Sequence, residues 1–303
     1  MSSISIIVVT YNHARYLPKC LESIFAQTRK PDEILVIDDF SQDNTSQIIK
    51  GFLGKVQYIR HQKNLGSVKT YNEGLKKAIG DFLLLVPADD WLASQLIKKE
   101  VSILETNSKI GMVYAQNFMV VNGKKKLIIH KPAGKKSYVG RKNDFELLLT
   151  QGDFIPFMTA MVRKNVYEDI GLWDENLPYL HDWEIWIRIA RYYPIAYIAE
   201  SLAYNRIHGS NFSTSYNFAR GFEKDFAFIL KKHLPKKNNT AFLRSRAFHY
   251  YFRTLTSISI ENNKIRQALK YWVNAIKLEP MSILALNMWK PFYFLLKKQL
   301  KIS

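Results

Sequence analysis

With 303 residues, 47% of them hydrophobic, the chain has room for a large α/β domain and a smaller appendage. Its 44 Lys and Arg against 26 Asp and Glu give a formal net charge of +18. That excess points to polyanionic partners, but no nucleic-acid recognition motif accompanies it, so nucleic acid is not an expected partner. The single cysteine, Cys20, lies in a helical apolar pattern; this excludes a disulfide framework, reads as a small buried filler and fits a reducing cytoplasm. The apolar N-terminus has the pattern of a strand, with no basic leader or cleavage site of a signal peptide. The longest near-apolar stretch, Met281 to Leu296, is broken by Asn287 and Lys290, short of a membrane span.

In chain order, Ile4 to Val9 is apolar and β-branched, and Tyr16 to Ala26 follows with helical spacing at Leu17, Leu21, Ile24 and Phe25. Glu33 to Ile37 reads as a second strand ending in Asp38-Asp39, and the polar run Ser41 to Thr45 opens a helix through Ile48, Ile49 and Leu53. Val56 to Arg60, Ser67 to Ala78 and Phe82 to Val86 continue the pattern as strand, helix and strand. Repeated β-α units with right-handed crossovers give a parallel sheet, so all four strand ends open on one rim. Thr10-Tyr11-Asn12, Asp38-Asp39, Asn64-Leu65-Gly66 and Asp89-Asp90 therefore converge there, where open α/β sheets bind ligands. Adjacent like charges such as Asp89 and Asp90 repel, and a divalent cation between them and an anionic ligand relieves that repulsion. A solvated acidic turn before a helix is the plain alternative for such a pair taken alone. Further on, Met158 to Val162 reads as a strand, and Trp183, Trp186, Ile187 and Ala190 have helical spacing, so that Asp182 opens a helix.

Eight fragments in order resemble the family-2 glycosyltransferases, inverting enzymes of the GT-A fold. They are Val8-Val9-Thr10-Tyr11-Asn12, Val36-Ile37-Asp38-Asp39, Asn64-Leu65-Gly66 leading to Asn72-Glu73-Gly74, Ala78-Ile79-Gly80-Asp81, Asp89-Asp90, Gly171-Leu172-Trp173-Asp174-Glu175, His181-Asp182-Trp183-Glu184 and Arg206-Ile207-His208-Gly209-Ser210-Asn211. The resemblance spans residues 3–213. It implies an α/β fold, a Rossmann-like, mostly parallel sheet that binds a nucleotide sugar, with a C-terminal helical appendage. The implied domains are a glycosyltransferase domain over 1–212, with a donor half over 1–120 and an acceptor half over 121–212, and a basic helical region over 213–303.

The resemblance also implies roles. Thr10, Tyr11 and Asn12 would flank the nucleobase, with the Tyr11 ring available for stacking. Asp39 would accept the N3–H of uracil, giving a UDP-sugar donor, although thymidine offers the same edge; Asp38 would hold the loop. Asn64 and Gly66 belong to the donor-binding set, Asp89 would take the ribose hydroxyls, and Asp90 would bind Mn²⁺ or Mg²⁺ bridging the diphosphate. Asp182 would be the general base of a one-step inverting transfer; its alternative is a helix N-cap, worth about 1 kcal/mol. Glu184, two residues on, cannot share its direction. His208 resembles a late histidine aimed at metal or diphosphate, or else is a loop histidine bonded to backbone. Arg206 is a second candidate for diphosphate charge, or an ordinary surface arginine.

The chain departs from the family pattern at Pro87, where relatives often carry a third acid, and at Tyr71, where they often carry Arg. Lys69 on the same helix would replace that phosphate contact, or is simply solvated. Lys124 to Lys142 holds eight Lys or Arg and no acid, and reads as a hairpin or flap beside the acceptor cleft that would attract a phosphate-bearing acceptor. In Asp153-Phe154-Ile155-Pro156-Phe157 the rings would stack on an acceptor sugar or pack in the core. Residues 213–303 hold 17 Lys and Arg against four acids. Asn263 to Pro280 has the pattern of half a helical-hairpin repeat, and Trp289, Phe292, Tyr293 and Phe294 interleave with lysines, as in a basic helix lying on an anionic membrane. The expected protein is a metal-dependent transferase, cytoplasmic and peripheral at the inner membrane face, acting on a glycan or lipid-linked glycan. A catalytically silent scaffold of the same fold is the main alternative. A nucleotidyltransferase is the lesser one, because its glycine- and lysine-rich phosphate loop is missing after the first strand.

Overall fold

The computed structural model describes residues 1–128, 133–209, 211, 216–234, 241–261, 264–280, 282 and 289. Two compact units emerge: residues 1–145 with 153–212, and residues 146–152 with 213–303. In the first, β1 (Ile4–Thr10), α1 (Leu17–Phe25), β2 (Glu33–Asp38), α2 (Thr45–Ile49), β3 (Gln57–Arg60), α3 (Ser67–Lys77) and β4 (Phe82–Pro87) follow the expected alternation. Next come β5 (Trp91–Leu92), α4 (Leu96–Thr106), β6 (Met112–Val121), β7 (Lys124–Ile128) and β8 (Tyr138–Val139), then α5 (Asp144–Gln151), which lies mostly in the second unit. The first unit closes with β9 (Met161–Arg163), α6 (Lys164–Ile170), α7 (His181–Tyr192) and β10 (Ile195–Ile207).

The sheet order is β3-β2-β1-β4-β9-β6-β10-β5, with β7 beside β6 and β8 beside β10. The first four strands are mutually parallel, and β6 and β10 are parallel to each other. Between these two sets β9 runs antiparallel to both of its neighbours. All seven residues of β1 are buried, as a strand covered on both faces requires. Ile4, Ile6 and Val8 join Leu17, Cys20, Leu21 and Ile24 of α1 in one core, and Cys20 is fully buried. On the other face α3 approaches so closely that a Cβ at Gly74 would lie 2.4 Å from Ile7 Cγ2, which accounts for the glycine in Asn72-Glu73-Gly74.

Two boundaries differ from the sequence reading. The second helix ends at Ile49 and continues only as a 3₁₀ turn over Lys50–Phe52. The segment from Met158 is also not strand at its start: Phe157–Thr159 forms a 3₁₀ turn and pairing begins at Met161. There the Thr159 hydroxyl accepts the Ala115 amide (3.2 Å) and lies 2.9 Å from its carbonyl, standing in for a strand partner. The basic stretch from Lys124 does form a hairpin, with β7 antiparallel to β6; residues 129–132 within it lie outside the described residues.

The second unit contains α8 (Tyr216–His233), α9 (Ala241–Glu261) and α10 (Ile265–Leu278). Phe226 of α8 packs on Tyr251 of α9 at 4.9 Å between ring centroids. Buried Ala268 and Ala275 of α10 face α9, where His249 Nδ1 lies 3.0 Å from the Ala275 carbonyl. No described helix is long and apolar enough to cross a membrane. The expected membrane-facing residues Phe292, Tyr293 and Phe294, with Ser210 of the late histidine motif, lie outside the described residues.

Candidate active site

The ends of β1, β2 and β3 build one side of the rim. Asp38 is fully buried and accepts the Ser41 amide (2.8 Å) and the Tyr58 hydroxyl (2.8 Å), so its charge holds the β2 loop. Asp39 has loop duties too. Its Oδ1 accepts the Leu65 amide (2.7 Å) and faces His61 Nδ1 (2.8 Å), and its Oδ2 accepts the Gly66 amide (2.8 Å). A carboxylate offers about four acceptor positions, so one is left for a ligand donor. Asn64 adds a bond from its side-chain amide to the Asp39 carbonyl (3.3 Å). Gly66 takes φ +86° at the start of α3, a conformation other residues adopt only with strain. Asn12 ties the first two loops together: its amide donates to Ser41 Oγ (2.9 Å) and its Oδ1 accepts the Gln42 amide (2.7 Å). The Tyr11 ring is 43% exposed, open to stacking, while Thr10 is buried with its hydroxyl unpartnered. Lys69 is exposed on α3.

At the end of β4 the second acidic pair meets residues more than 110 positions away. Asp90 Oδ1 accepts the Arg206 amide (2.8 Å), and Asn205 reaches both of its oxygens. Asp89 Oδ2 lies 3.0 Å from His208 Nε2 and accepts the Asn211 side-chain amide (3.1 Å). Arg206 Nε donates to the Asp89 carbonyl (2.9 Å). Burial and then the neighbouring Asp89 charge hold the Asp90 pKa well above the usual carboxylate range, against the opposing pull of the Arg206 amide and Asn205. The sequence reading pairs Asp90 with His208 as metal ligands. In the structure His208 is brought to Asp89, and His13 joins them: ligand atoms of His13, Asp89 and His208 all lie within 4.8 Å of one another. The His13 Nδ1 is buried without a hydrogen-bond partner, and burial lowers its pKa, which favours the neutral, ligating imidazole. A shared cation suits this set: oxygen and imidazole donors converge, and one nitrogen lacks any other partner.

The third wall is the start of α7. Leu180, not Asp182, occupies the N-cap position; Asp182 sits in the first turn, half-buried, and accepts its neighbour's amide at Trp183 (2.8 Å). Glu184 is fully buried and paired with Arg188 (2.9 Å), whose guanidinium also donates to the Ile170, Gly171 and Leu172 carbonyls. This pair locks α7 to the loop carrying Trp173. Asn72 clamps that loop from α3: its side chain donates to the Trp173 carbonyl and accepts the Trp173 amide, both at 3.0 Å. Tyr71 packs between Phe157 (5.2 Å) and Trp173 (5.4 Å), and Phe154 is buried, so these rings belong to the core beneath the cleft. After burial, the charges of Asp89, Asp90 and Asp182 all raise the Tyr71 pKa, which puts the acidic pair and the α7 acid around one side chain. Asp153 is reachable by solvent yet crowded by protein, and that crowding and the facing Asp182 charge push its carboxyl up.

Removal of Glu184 strands the Arg188 charge. Glu184→Ala is expected to cost about 3–5 kcal/mol, a fall in Tm of roughly 10 °C. A fall below roughly 2 °C in a thermal melt would show that the pair does not hold this loop.

The sequence model of Glycosyl transferase family 2 matches residues 5–171. The chain belongs to this family. A glycosyltransferase of Rickettsia typhi is 29% identical over 231 residues, covering 76% of this chain and 72% of the relative. One from Haemophilus influenzae is 26% identical, over 99% of this chain and 94% of its own length. Among solved structures, residues 1–349 of S. aureus TarS in complex with UDP-GlcNAc match with a TM-score of 0.61 at 18% identity, covering 92% of this chain and 90% of that one. The mannosyltransferase PcManGT of Pyrobaculum calidifontis, in complex with GDP-Man and Mn²⁺, matches with a TM-score of 0.63 at 16% identity, covering 100% and 88%. The fold is the GT-A fold of these glycosyltransferases.

Within this family-2 domain, sequence reasoning missed two histidines. His13 follows Thr10-Tyr11-Asn12 directly, and its place on the rim was its only signal. His61 bridges Asp39 and Glu73 (Nε2 to Oε2, 2.9 Å) and so fixes the loop acid against α3. Its partners are 22 and 12 residues away, and no local pattern marks it.

Proposed function

We propose that the protein is a metal-dependent inverting glycosyltransferase that moves a sugar, a hexose or its N-acetyl derivative, from UDP to a hydroxyl of a polysaccharide or lipid-linked glycan, with Asp182 as general base. The observation that carries this reading is the arrangement around Tyr71, where the charges of a buried acidic pair with histidine and arginine partners and of a separate half-exposed acid act on one side chain. The base would lie between Tyr11, Asn12 and the loop fixed by Asp39, Asn64 and Gly66, the remaining acceptor position of Asp39 taking the uracil N3–H. Thymine fits the same contacts. Asp89 would receive the ribose hydroxyls, and Arg206, with Lys69 farther out, would face the diphosphate.

His13, Asp89 and His208 would hold the cation, with Asp90 alongside; the imidazoles favour Mn²⁺ over Mg²⁺. When bound, the cation stabilises the negative charge of the departing diphosphate. Asp182 would take the proton of the acceptor hydroxyl as its oxygen bonds to the anomeric carbon. The bond from that carbon to the phosphate oxygen breaks in the same step, and its electron pair leaves with UDP. Glu184 is committed to Arg188, which leaves Asp182 as the half-exposed acid of this turn.

Incubation with a panel of sugar nucleotides and Mn²⁺ tests the reading. UDP-linked sugars are expected to be hydrolysed or transferred with inversion at the anomeric carbon, followed by NMR; retention would overturn the mechanism. By calorimetry UDP should bind more tightly than GDP, since guanine is a larger, bicyclic base whose N1–H lies farther from the ribose than the uracil N3–H that Asp39 would accept, and Asp39→Ala should remove the preference. Equal affinities would sink the base assignment. The excess of basic residues after position 212 supports a peripheral membrane location. The full chain should sediment with anionic but not neutral liposomes and be released by high salt; failure to sediment at low salt would refute that location.

A further inference from the structure

Strand register builds a row of aromatic rings beside the acidic pair. Tyr204 of β10 is paired with Trp91 of β5 on one side and with Phe118 of β6 on the other. The rings stack accordingly: Trp91 and Tyr204 at 5.0 Å and 8°, Tyr204 and Phe118 at 5.3 Å and 19°. Arg206, two residues beyond Tyr204 and so on the same face, has its guanidinium 4.6 Å from the Trp91 ring centre and 4.8 Å from that of Tyr16. Its Nε is fixed on the Asp89 carbonyl. Two rings and one hydrogen bond hold the fork, and its outer edge remains as a donor pair.

Two lysines join the row from other elements. Lys19 of α1 places Nζ 3.8 Å from the Trp91 ring centre. Lys125 of β7 stands opposite Val120, on the same face as Phe118, with Nζ 4.7 Å from the Tyr204 ring centre. Both lysines are exposed, and among the described residues no carboxylate lies within ion-pair distance of any of the three cations. Lys19 feels the other two: burial and then the charges of Arg206 and Lys125 lower its pKa. Cation–π contact favours these positions but does not neutralise charge. A fixed guanidinium fork flanked by two ammonium groups matches the shape and charge of a phosphate group.

We propose that Lys19 and Lys125, beside the Arg206 fork that would face the donor diphosphate, form a subsite for a phosphate mono- or diester carried by the acceptor. This rests on the transferase reading above. The nucleobase loop belongs to β1 and β2, whereas the ring row lies on β5, β10 and β6, across β4 and β9 from it in the sheet order. In strand order the row lies beyond the acidic pair at the end of β4, and Lys19 and Tyr16 meet it from the start of α1; the subsite there would serve the incoming acceptor.

The test uses the full chain, wild type and the Lys19→Gln/Lys125→Gln double variant, saturated with UDP and Mg²⁺. Inorganic phosphate stands for a terminal monoester and dimethyl phosphate for a chain diester, each titrated by ³¹P NMR, while UDP affinity is measured by calorimetry. Wild type is expected to bind at least one probe with UDP in place. The double variant should bind that probe at least about tenfold more weakly, with UDP affinity within about twofold. The tighter probe identifies which ester the subsite takes. Equal phosphate binding by the two proteins would overturn the proposal, as would displacement of phosphate by UDP, which would assign these lysines to the donor's own diphosphate. If UDP fails to bind the wild type while the variant still loses phosphate, the donor reading falls and the anion site stands.

Discussion

Asp182→Asn is expected to lower turnover by about 10²–10⁴-fold while UDP affinity stays nearly unchanged. The asparagine keeps the size of the side chain and an oxygen for the Trp183 amide that Asp182 Oδ1 now accepts. What it loses is the capacity to take a proton, together with a negative charge in the first turn of α7. That charge is worth about 0.3–1 kcal/mol against the helix dipole, so the fall in Tm should be no more than roughly 4 °C. The N-cap of this helix is Leu180, so a stability role for Asp182 has little left to rest on. Glu184→Ala should behave oppositely, because it breaks the buried pair with Arg188. Measured side by side, the two variants separate chemistry from folding. If Asp182→Asn retains more than about a tenth of wild-type turnover, the base lies elsewhere, and Asp153, which faces Asp182, is the next residue to replace.

The first half of the fold was legible because its signals are strong and local. Strands β1, β2 and β4 are buried, and each reads as an apolar run, broken only at Ser5 of β1, that ends at polar or turn residues. The acids at their ends could be placed on one rim from topology alone. The second half was less legible. Strands β5 and β8 have two residues each, too short for any period to register, and β9 gives up its first residues to a turn in which Thr159 bonds across to Ala115. Within the site, residue types and order pointed to the acids, but the sequence was silent on how each carboxylate is occupied. Asp39 spends three acceptor positions on its own loop and His61, and His208 meets Asp89 from 119 positions away. Such contacts depend on tertiary closure, which pattern does not encode. The family fragments located His208, but lone His13 and His61 had no fragment to mark them.

Asp90→Asn is expected to abolish metal-dependent transfer and, in metal-free buffer near neutral pH, to leave Tm unchanged or raised. The sign follows from the environment of Asp90. Burial and the Asp89 charge raise its pKa in the folded protein above the unfolded value, so the folded state holds the proton more tightly. Stability from this group is therefore present at low pH and declines as pH rises from the unfolded value through the folded one. Asparagine cannot ionise, so the variant escapes this pH-dependent cost of placing a second charge beside Asp89. The substituted side chain also keeps an oxygen for the Arg206 amide, a bond of 2.8 Å in the native chain. With Mn²⁺ the order should reverse: the wild type gains in Tm and in UDP affinity, since a ligand that binds only the folded state stabilises it, and the variant gains much less. Three measurements check this, namely thermal melts with and without Mn²⁺, UDP calorimetry under both conditions, and transfer in chelator. Full wild-type activity in chelator would remove the metal from the mechanism. A marked loss of Tm in the metal-free variant would mean that Asp90 is retained for the hydrogen bonds it makes to β10, and not for the charge it presents to a cation.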